Sequence, residues 1–159
     1  LEEEETLKRV IGTRRDAQEK LASRHGTRKP MLLKIAPDLA EGEMDGIAQV
    51  LLTAKIDGLI CTNTTIDRSA VAGARHAEEA GGLSGKPLFD KATSILRGMA
   101  QRLGGKIPLI GVGGILSGAD AAAKIAAGAS LVQFYSGMVY HGPALIGECV
   151  EAIRKQAAR

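Results

Sequence analysis

Four short aliphatic runs divide the chain, and each is bounded by glycine, proline or polar residues. They lie at residues 31–35, 58–62, 107–111 and 130–134. Short apolar runs without polar alternation are typical of strands buried on both faces of a parallel sheet. We therefore predict four strands at these positions, each buried on both faces.

Longer amphipathic segments separate these runs and predict helices at residues 2–23, 41–54, 91–103, 118–127 and 143–157. Apolar positions recur in the central segments at three- and four-residue spacing, which places them on one helical face. One helix followed by four strand–helix units predicts an α/β fold with a parallel sheet and right-handed crossovers. Two architectures fit this order: a doubly wound sheet and part of a (β/α)8 barrel.

Composition agrees with an α/β domain and argues against other classes. Aromatic residues make up 3% of the 159 residues and tryptophan is absent, which disfavours a nucleic-acid binder that stacks bases on aromatic side chains. The net charge of +3 permits an anionic ligand without indicating nucleic acid or a membrane surface. No apolar run is long enough to span a bilayer. Cys61 and Cys149 match no metal-binding spacing, and we expect both to be reduced, buried thiols.

A glycine-rich segment, GVGG at residues 111–114, follows the third predicted strand and precedes a helix that starts near Ser117. Glycines in such a turn let backbone N–H groups converge on an anion, with the helix N-terminus behind them. Tyr135 and Ser136 follow the fourth strand, and phosphate binding between the last two strands recurs in (β/α)8 barrels. The alternative is that these glycines only form tight turns.

Lys34 lies within the first apolar run, at the end of the strand where ligands bind in both architectures. A buried lysine without a partner is energetically costly. We therefore expect Lys34 to face an anion or an electron-rich group, unless its side chain extends to solvent.

Thr62, Asn63 and Thr64 follow the second strand and supply hydroxyl and amide groups. These groups suit a planar ligand with imide-like edges, although a turn or capping role is the alternative. The long connection at residues 65–90 contains Ser84 and Gly85, which are able to approach a ligand closely.

Several common sites are missing from the sequence. It contains neither a Gly-Lys-Ser/Thr phosphate loop nor a Gly-x-Gly-x-x-Gly fingerprint. His25, His76 and His141 lie outside the strand ends, and we expect them on the surface. No His, Cys or Asp cluster has metal-ligand spacing, so no metal site is predicted.

Five motifs together resemble class 2, quinone-dependent, bacterial-type dihydroorotate dehydrogenases. They are KIAPDL at residues 34–39, TNTT at 62–65, GGLSGKPL at 81–88, GVGGI at 111–115 and GASLVQ at 128–133. The resemblance implies an α/β fold in which residues 1–159 form the second half of a (β/α)8 barrel, strands five to eight, with the first half absent.

The resemblance also implies an FMN-dependent oxidation of dihydroorotate to orotate in pyrimidine biosynthesis, with ubiquinone as the electron acceptor. Asn63 and Thr64 would bind dihydroorotate or orotate. Ubiquinone would be reached through an N-terminal part, and the full-length enzyme would lie at the cytoplasmic face of the inner membrane, the fragment itself being soluble. FMN would be bound by eight residues: Lys34, Thr62, Ser84, Gly85, Gly113, Gly114, Tyr135 and Ser136.

One departure from the family limits this expectation. The family's catalytic base is a serine in an Asn-x-Ser-Ser-Pro-Asn segment, which is expected just before Leu1 and does not occur here. We therefore predict no catalytic residue in the chain and no activity for it alone. A non-catalytic half-barrel that binds FMN or phosphate, and another FMN barrel oxidoreductase, remain alternatives. Exposed sheet edges would favour pairing with the missing half or self-association.

Overall fold

The computed structural model describes residues 2–158 of the protein. Within this range one helix is followed by four strand–helix units, as predicted, and one additional short helix follows the last strand. The elements are α1 (Glu2–His25), β1 (Leu32–Ile35), α2 (Glu41–Ala54), β2 (Gly58–Cys61), α3 (Phe89–Leu103), β3 (Leu109–Val112), α4 (Gly118–Ala126), β4 (Leu131–Gln133), α5 (Ser136–His141) and α6 (Ala144–Ala157). Short 3-10 turns occur at Ser69–Val71 and Lys86–Leu88.

The bounds predicted from the sequence agree with these elements to within two residues, and those of α2 agree exactly. Helix α5 was not predicted. Its six residues directly follow a strand and include Gly137, so they carry too little periodicity to indicate a helix.

The four strands form one parallel sheet in the order β1-β2-β3-β4. Lys34 pairs with Ile60, Ile60 with Ile110, and Ile110 with Leu131, so these four residues form one row across the sheet. Each strand lies beside its successor in the chain, as in consecutive units of a (β/α)8 barrel. A doubly wound sheet would reverse its strand order at a switch point, so this order favours the barrel architecture.

The helices pack on one face of the sheet and form two cores with it. The larger core joins α1, α2 and α3 to strands β1–β3, and its Leu51, Leu59 and Leu96 have no exposed surface. The smaller core lies between α4 and α6 and contains Ile115, Ala121, Leu145 and Cys149. Burial of these aliphatic side chains is the main force that holds the helices on the sheet.

The opposite face of the sheet is open, so the prediction that all four strands are buried on both faces is wrong. Leu59 and Leu109 point toward the helices and are buried, whereas Leu32 is 37% and Leu131 63% exposed. Successive strand residues point to opposite faces, and helices cover only one of them here. The aliphatic character of the open face is what made the strands look fully buried in the sequence.

Candidate functional site

A cavity of about 370 Å³ lies at the carboxyl ends of all four strands. This volume falls within the range of roughly 300–1,000 Å³ that is typical of small-molecule sites. The cavity is lined by all ten residues that the sequence singled out as ligand-binding: Lys34, Thr62, Asn63, Thr64, Ser84, Gly85, Gly113, Gly114, Tyr135 and Ser136. The structure thus brings them together, and their individual roles stay predictions.

Six further residues line the same cavity and were not among the ten: Leu88, Val112, Ile115, Gln133, Phe134 and Gly137. Gln133 had a recognisable signal, because it is a polar residue inside an aliphatic strand. Since strand residues alternate in direction, Gln133 shares the open face with Leu131. The apolar members had no signal that separates them from ordinary core residues.

The turn after β3 fits closely against the start of α3. Gly113 has φ +105° and Gly114 has φ +74°, both in the region that L-residues rarely adopt. A Cβ atom on Gly114 would lie 2.5 Å from Phe89 Cβ and 2.6 Å from Phe89 Cα. Within residues 2–158 the N–H groups of these two glycines have no hydrogen-bond acceptor. The turn therefore presents two backbone donors at the cavity, and only glycine fits at residue 114.

Helix α4 does not supply the anion-binding N-terminus that the sequence suggested behind this turn. Its first turn is capped by its own side chains: Ser117 Oγ accepts from Asp120 N at 3.1 Å, and Asp120 Oδ2 accepts from Leu116 N at 3.0 Å. Glu148 Oε1 accepts from Gly118 N at 2.7 Å. One hydroxyl and two carboxylates already accept from these three N–H groups, so none of the three is free to bind an anion.

The loop at residues 81–85 closes one side of the cavity. Thr65 and Leu83 form an antiparallel bridge, with Leu83 N donating to Thr65 O at 2.8 Å. Ser84 Oγ then lies 2.9 Å from Ser136 Oγ, and Gly85 is adjacent with φ +79°. The loop therefore connects the segment after β2 with the segment after β4.

Backbone and hydroxyl contacts hold the segment after β2. Thr62 is 1% exposed, and its Oγ1 donates to Asn63 O at 2.9 Å. Asn63 N donates to Ile35 O at 2.7 Å. The backbone of Asn63 is thus fixed to β1, while the residue itself is exposed and lines the cavity.

Lys34 is exposed, not buried as its apolar neighbours suggested. It lies on the open face of β1, where no helix packs, and lines the cavity. No carboxylate among residues 2–158 forms an ion pair with its ammonium. A ligand in the cavity can therefore bind the Lys34 ammonium without displacing a carboxylate of the described residues.

A charged network fixes the loop that follows Asn63 and Thr64. Asp38 Oδ1 accepts from Thr65 Oγ1 at 2.5 Å and from Lys91 Nζ at 2.9 Å, and its Oδ2 accepts from Ile66 N at 3.1 Å. Lys91 also contacts Asp67 Oδ2 at 2.9 Å. Burial opposes ionisation of Asp38, but the hydrogen bonds from Thr65, Lys91 and Ile66 outweigh it and lower its pKa. The ionised carboxylate therefore stabilises the fold.

We expect Asp38→Asn to lower the unfolding free energy at neutral pH by about 1 kcal/mol, the net contribution of a typical hydrogen bond, because the donors Lys91 Nζ and Ile66 N are solvent-exposed. The pKa of Asp38 is lower in the folded state than in the unfolded chain. The Asp38 carboxylate therefore stabilises the fold fully above its unfolded-state pKa, and this stabilisation is lost as pH falls through its folded-state pKa. Urea unfolding from neutral pH to about pH 3 should show the difference between variant and wild type shrinking with acid.

Asp16→Asn is the matched control for this experiment, because Asp16 is exposed on α1 and forms no ion pair within residues 2–158. An Asp38→Asn difference that stays constant with pH would show that the carboxylate charge is not what holds the loop.

The two cysteines are buried, as expected, with Cys61 0% and Cys149 3% exposed. Burial raises the pKa of the Cys61 thiol to about 12. A thiol that stays protonated at neutral pH is a poor nucleophile. The expectation that His25, His76 and His141 lie on the surface is also confirmed.

Metal-binding clusters and membrane-spanning helices are both absent from residues 2–158. No group of three or more His, Cys, Asp or Glu side chains there is arranged to hold a metal ion. None of the helices described combines the length and apolar character that crossing a membrane requires.

Comparison with known proteins identifies the family. Residues 4–156 match the family model for dihydroorotate dehydrogenase. The chain is 57% identical over 156 residues to dihydroorotate dehydrogenase (quinone) of Stenotrophomonas maltophilia, covering 98% of this chain and 44% of the relative. It is 58% identical to the protein of the same name from Xanthomonas campestris pv. campestris, with the same coverage. The chain thus spans less than half the length of these relatives.

Solved structures agree with the sequence relatives. The chain superposes on DHODH from Eimeria tenella in complex with ferulenol with a TM-score of 0.85 and 37% identity, covering 94% of this chain and 43% of that one. The ligand-free type from the same organism gives a TM-score of 0.86 and 36% identity. These matches confirm the predicted fold class, a partial (β/α)8 barrel. The chain belongs to the dihydroorotate dehydrogenase family.

Proposed function

We propose that the cavity is an FMN site and that the complete protein oxidises dihydroorotate to orotate with a quinone as electron acceptor. The observation that carries the proposal is the convergence of all ten predicted residues on one cavity at the strand ends. The matched relatives bear the name dihydroorotate dehydrogenase (quinone), which supports this substrate and this acceptor.

The two sides of the cavity suit the two ends of a flavin nucleotide. Gly113 and Gly114 offer free backbone N–H groups, and Ser136 adds a hydroxyl beside them, which suits a phosphate. Lys34 and Thr62 lie across the cavity on β1 and after β2. A fixed cation at Lys34 favours negative charge on a reduced flavin ring. Bound FMN supplies the hydride acceptor of the reaction.

Asn63 and Thr64 are the proposed substrate residues. Asn63 carries both a donor and an acceptor on its side chain, and its backbone is fixed to β1. Thr64 sits against Gly82, where any side chain would collide with the Thr64 hydroxyl. The backbone of this segment is therefore held in place before a ligand arrives, which lowers the entropic cost of binding.

We infer that the other half of the barrel completes the site. Residues 1–159 correspond to strands five to eight of the barrel, and the serine base is supplied by the Asn-x-Ser-Ser-Pro-Asn segment of the other half. The open sheet face of β1–β4 is the interior of the complete barrel. Quinone access and association with the inner membrane belong to the N-terminal part of the whole protein.

Flavin titration tests the cofactor assignment. We expect the chain to bind FMN more tightly than riboflavin, which lacks the phosphate, as measured by quenching of flavin fluorescence. Lys34→Met should weaken binding of FMN and riboflavin alike, by about tenfold, because Lys34 lies at the ring side of the site. Lys29→Met, an exposed lysine just before β1 that does not line the cavity, should leave both affinities unchanged.

A hybrid protein tests the reaction. In it, this chain replaces the matching segment of the Stenotrophomonas maltophilia relative, which restores the missing part of the barrel. Formation of orotate by the hybrid, and its loss in Asn63→Ala, are the expected results. Flavin binding without orotate formation would favour a non-catalytic binding protein, and turnover of other substrates only would favour another flavin oxidoreductase.

A further inference from the structure

Lys124 is a fully buried lysine that the proposed reaction does not use. It lies on α4, has 0% exposed surface, and is the largest of the fully buried side chains in the described residues. It does not line the cavity and is too deeply buried to touch a ligand there. A buried ammonium is costly unless its surroundings compensate it, so its contacts indicate what it is for.

The contacts of the ammonium all lie at the N-terminal end of α3. Lys124 Nζ donates to Thr93 Oγ1 at 2.8 Å and to Phe89 O at 3.4 Å. It also lies 4.7 Å from the centroid of the Phe89 ring, within the range of a cation–π contact. Thr93 Oγ1 in turn donates to Phe89 O at 2.6 Å. One ammonium therefore fixes the backbone and the ring of Phe89 at once.

Phe89 is also the residue against which the Gly113–Gly114 turn packs. The close approach of Gly114 to Phe89 Cα and Cβ leaves no room for a side chain between them. The stem of Lys124 packs beneath the same strand, where a Cβ on Gly111 would lie 2.9 Å from Lys124 Cβ. The Lys124 side chain thus extends from Gly111 on β3 to Phe89, the first residue of α3. It packs against both of the elements that flank the Gly113–Gly114 turn.

The charge of Lys124 is not neutralised by a direct ion pair. Its hydrogen-bond acceptors are a hydroxyl and a carbonyl, and no carboxylate within residues 2–158 lies within ion-pair distance of it. The charged or titratable groups around it are Asp120 on α4, Asp90 on α3 and Cys61 on β2. Lys86, which lies 5.3 Å from the Phe89 ring centroid, pairs with Asp120 at 3.6 Å.

We propose that Lys124 is a positioning residue for phosphate binding: its buried ammonium holds Phe89 against the Gly113–Gly114 turn and places positive charge behind the donors that face the anion. The proposal rests on the proposed function, since it assigns the phosphate of FMN to this turn. Burial lowers the pKa of Lys124 to about 8, against the attraction of the Asp120 and Asp90 carboxylates, so the charge responds to mildly alkaline pH.

The test compares FMN with riboflavin, so that the phosphate contribution is isolated. Lys124→Met keeps most of the apolar stem and removes the charge, and we expect FMN affinity to fall about tenfold while riboflavin affinity stays the same. Lys86→Met is the matched control, because Lys86 also lies over Phe89 but is 66% exposed. It should change the FMN preference far less, since solvent screens its charge.

The pH dependence separates charge from mere packing. From about pH 7 to about pH 9 the FMN phosphate remains a dianion, since its second pKa is about 6, and the Cys61 thiol remains protonated. The preference of the wild type for FMN over riboflavin should decline over this range, and that of Lys124→Met should be flat. Without flavin, the wild type should gain stability relative to Lys124→Met as pH rises through about 8, because its folded state binds the Lys124 proton less tightly than the unfolded chain.

The outcomes are distinguishable. An unchanged FMN preference in Lys124→Met, or a wild-type preference that is flat with pH, would overturn the role of Lys124 and leave the FMN assignment intact. The second of these measurements needs no variant and remains decisive if Lys124→Met does not fold. A wild type that does not prefer FMN to riboflavin would overturn the phosphate assignment and this proposal with it.

Discussion

Replacing Gly114 with alanine is expected to lower the affinity of the chain for FMN by about 100-fold and to destabilise the fold. The added Cβ would lie 2.5–2.7 Å from three atoms of Phe89, two of them backbone atoms that cannot rotate away. Overpacking of this kind costs about 1–3 kcal/mol. The left-handed conformation at φ +74° adds about 1–2 kcal/mol for a residue with a Cβ. The turn and the start of α3 must therefore separate.

Gly105→Ala is the control that isolates the collision. Gly105 has φ +76°, nearly the same as Gly114, but nothing lies within 4 Å of its would-be Cβ. This variant should lose about 1–2 kcal/mol of unfolding free energy in urea and keep its FMN affinity. Equal losses of affinity in the two variants would show that the contact with Phe89 does not shape the site.

The second large effect is expected at Gly137, in the first turn of α5. Its backbone is helical, so alanine would be favourable there by conformation alone. However, the new Cβ would overlap the carbonyl oxygen of Ile115 and lie 2.7 Å from Leu145 Cδ2. We expect Gly137→Ala to cost about 1–3 kcal/mol of unfolding free energy. FMN affinity should also fall about tenfold, because Ser136 would move with the helix.

Gly147→Ala tests the same substitution without the collision. Gly147 is exposed on α6, and nothing lies within 4 Å of its would-be Cβ. Alanine there should raise the unfolding free energy by about 0.5–1 kcal/mol, the usual gain over glycine inside a helix. A stabilising Gly137→Ala would mean that α5 is free to shift away from Ile115 and does not form a fixed wall of the cavity.

The fold was largely predictable because its aliphatic strands and amphipathic helices differ clearly in period. Leu109, at the centre of a run bounded by proline and glycine, and Met44 and Leu51, on one face of α2, carry unambiguous signals. The ten predicted site residues converge because parallel strands end at one edge. What they do chemically was suggested by motif order and resemblance, since strand ends alone do not identify a ligand.

The remainder was not predictable because it depends on which surfaces meet. Leu131 and Lys34 are exposed because no helix covers their face of the sheet, and strand sequences do not reveal which face stays open. Ser117 looked like the start of an anion site, but Glu148, thirty-one residues later, occupies a donor beside it. Lys124 had one weak signal, a lone charge in the alanine-rich run at residues 121–127, and only the packing shows where its ammonium lies.

Because of the strand order, we expect the backbone segments that line the cavity to exchange their amide hydrogens at different rates. β2 and β3 are paired on both sides, whereas β1 and β4 are paired on one side only. Local opening is easiest where few hydrogen bonds must break. Thr62 and Gly113 directly follow the central strands β2 and β3, where we expect slow exchange. Lys34 lies in the edge strand β1 and Ser136 follows the edge strand β4, where we expect faster exchange. A ligand that spans the cavity mainly orders β1 and β4. The entropy that these two strands lose on binding makes the binding free energy less favourable.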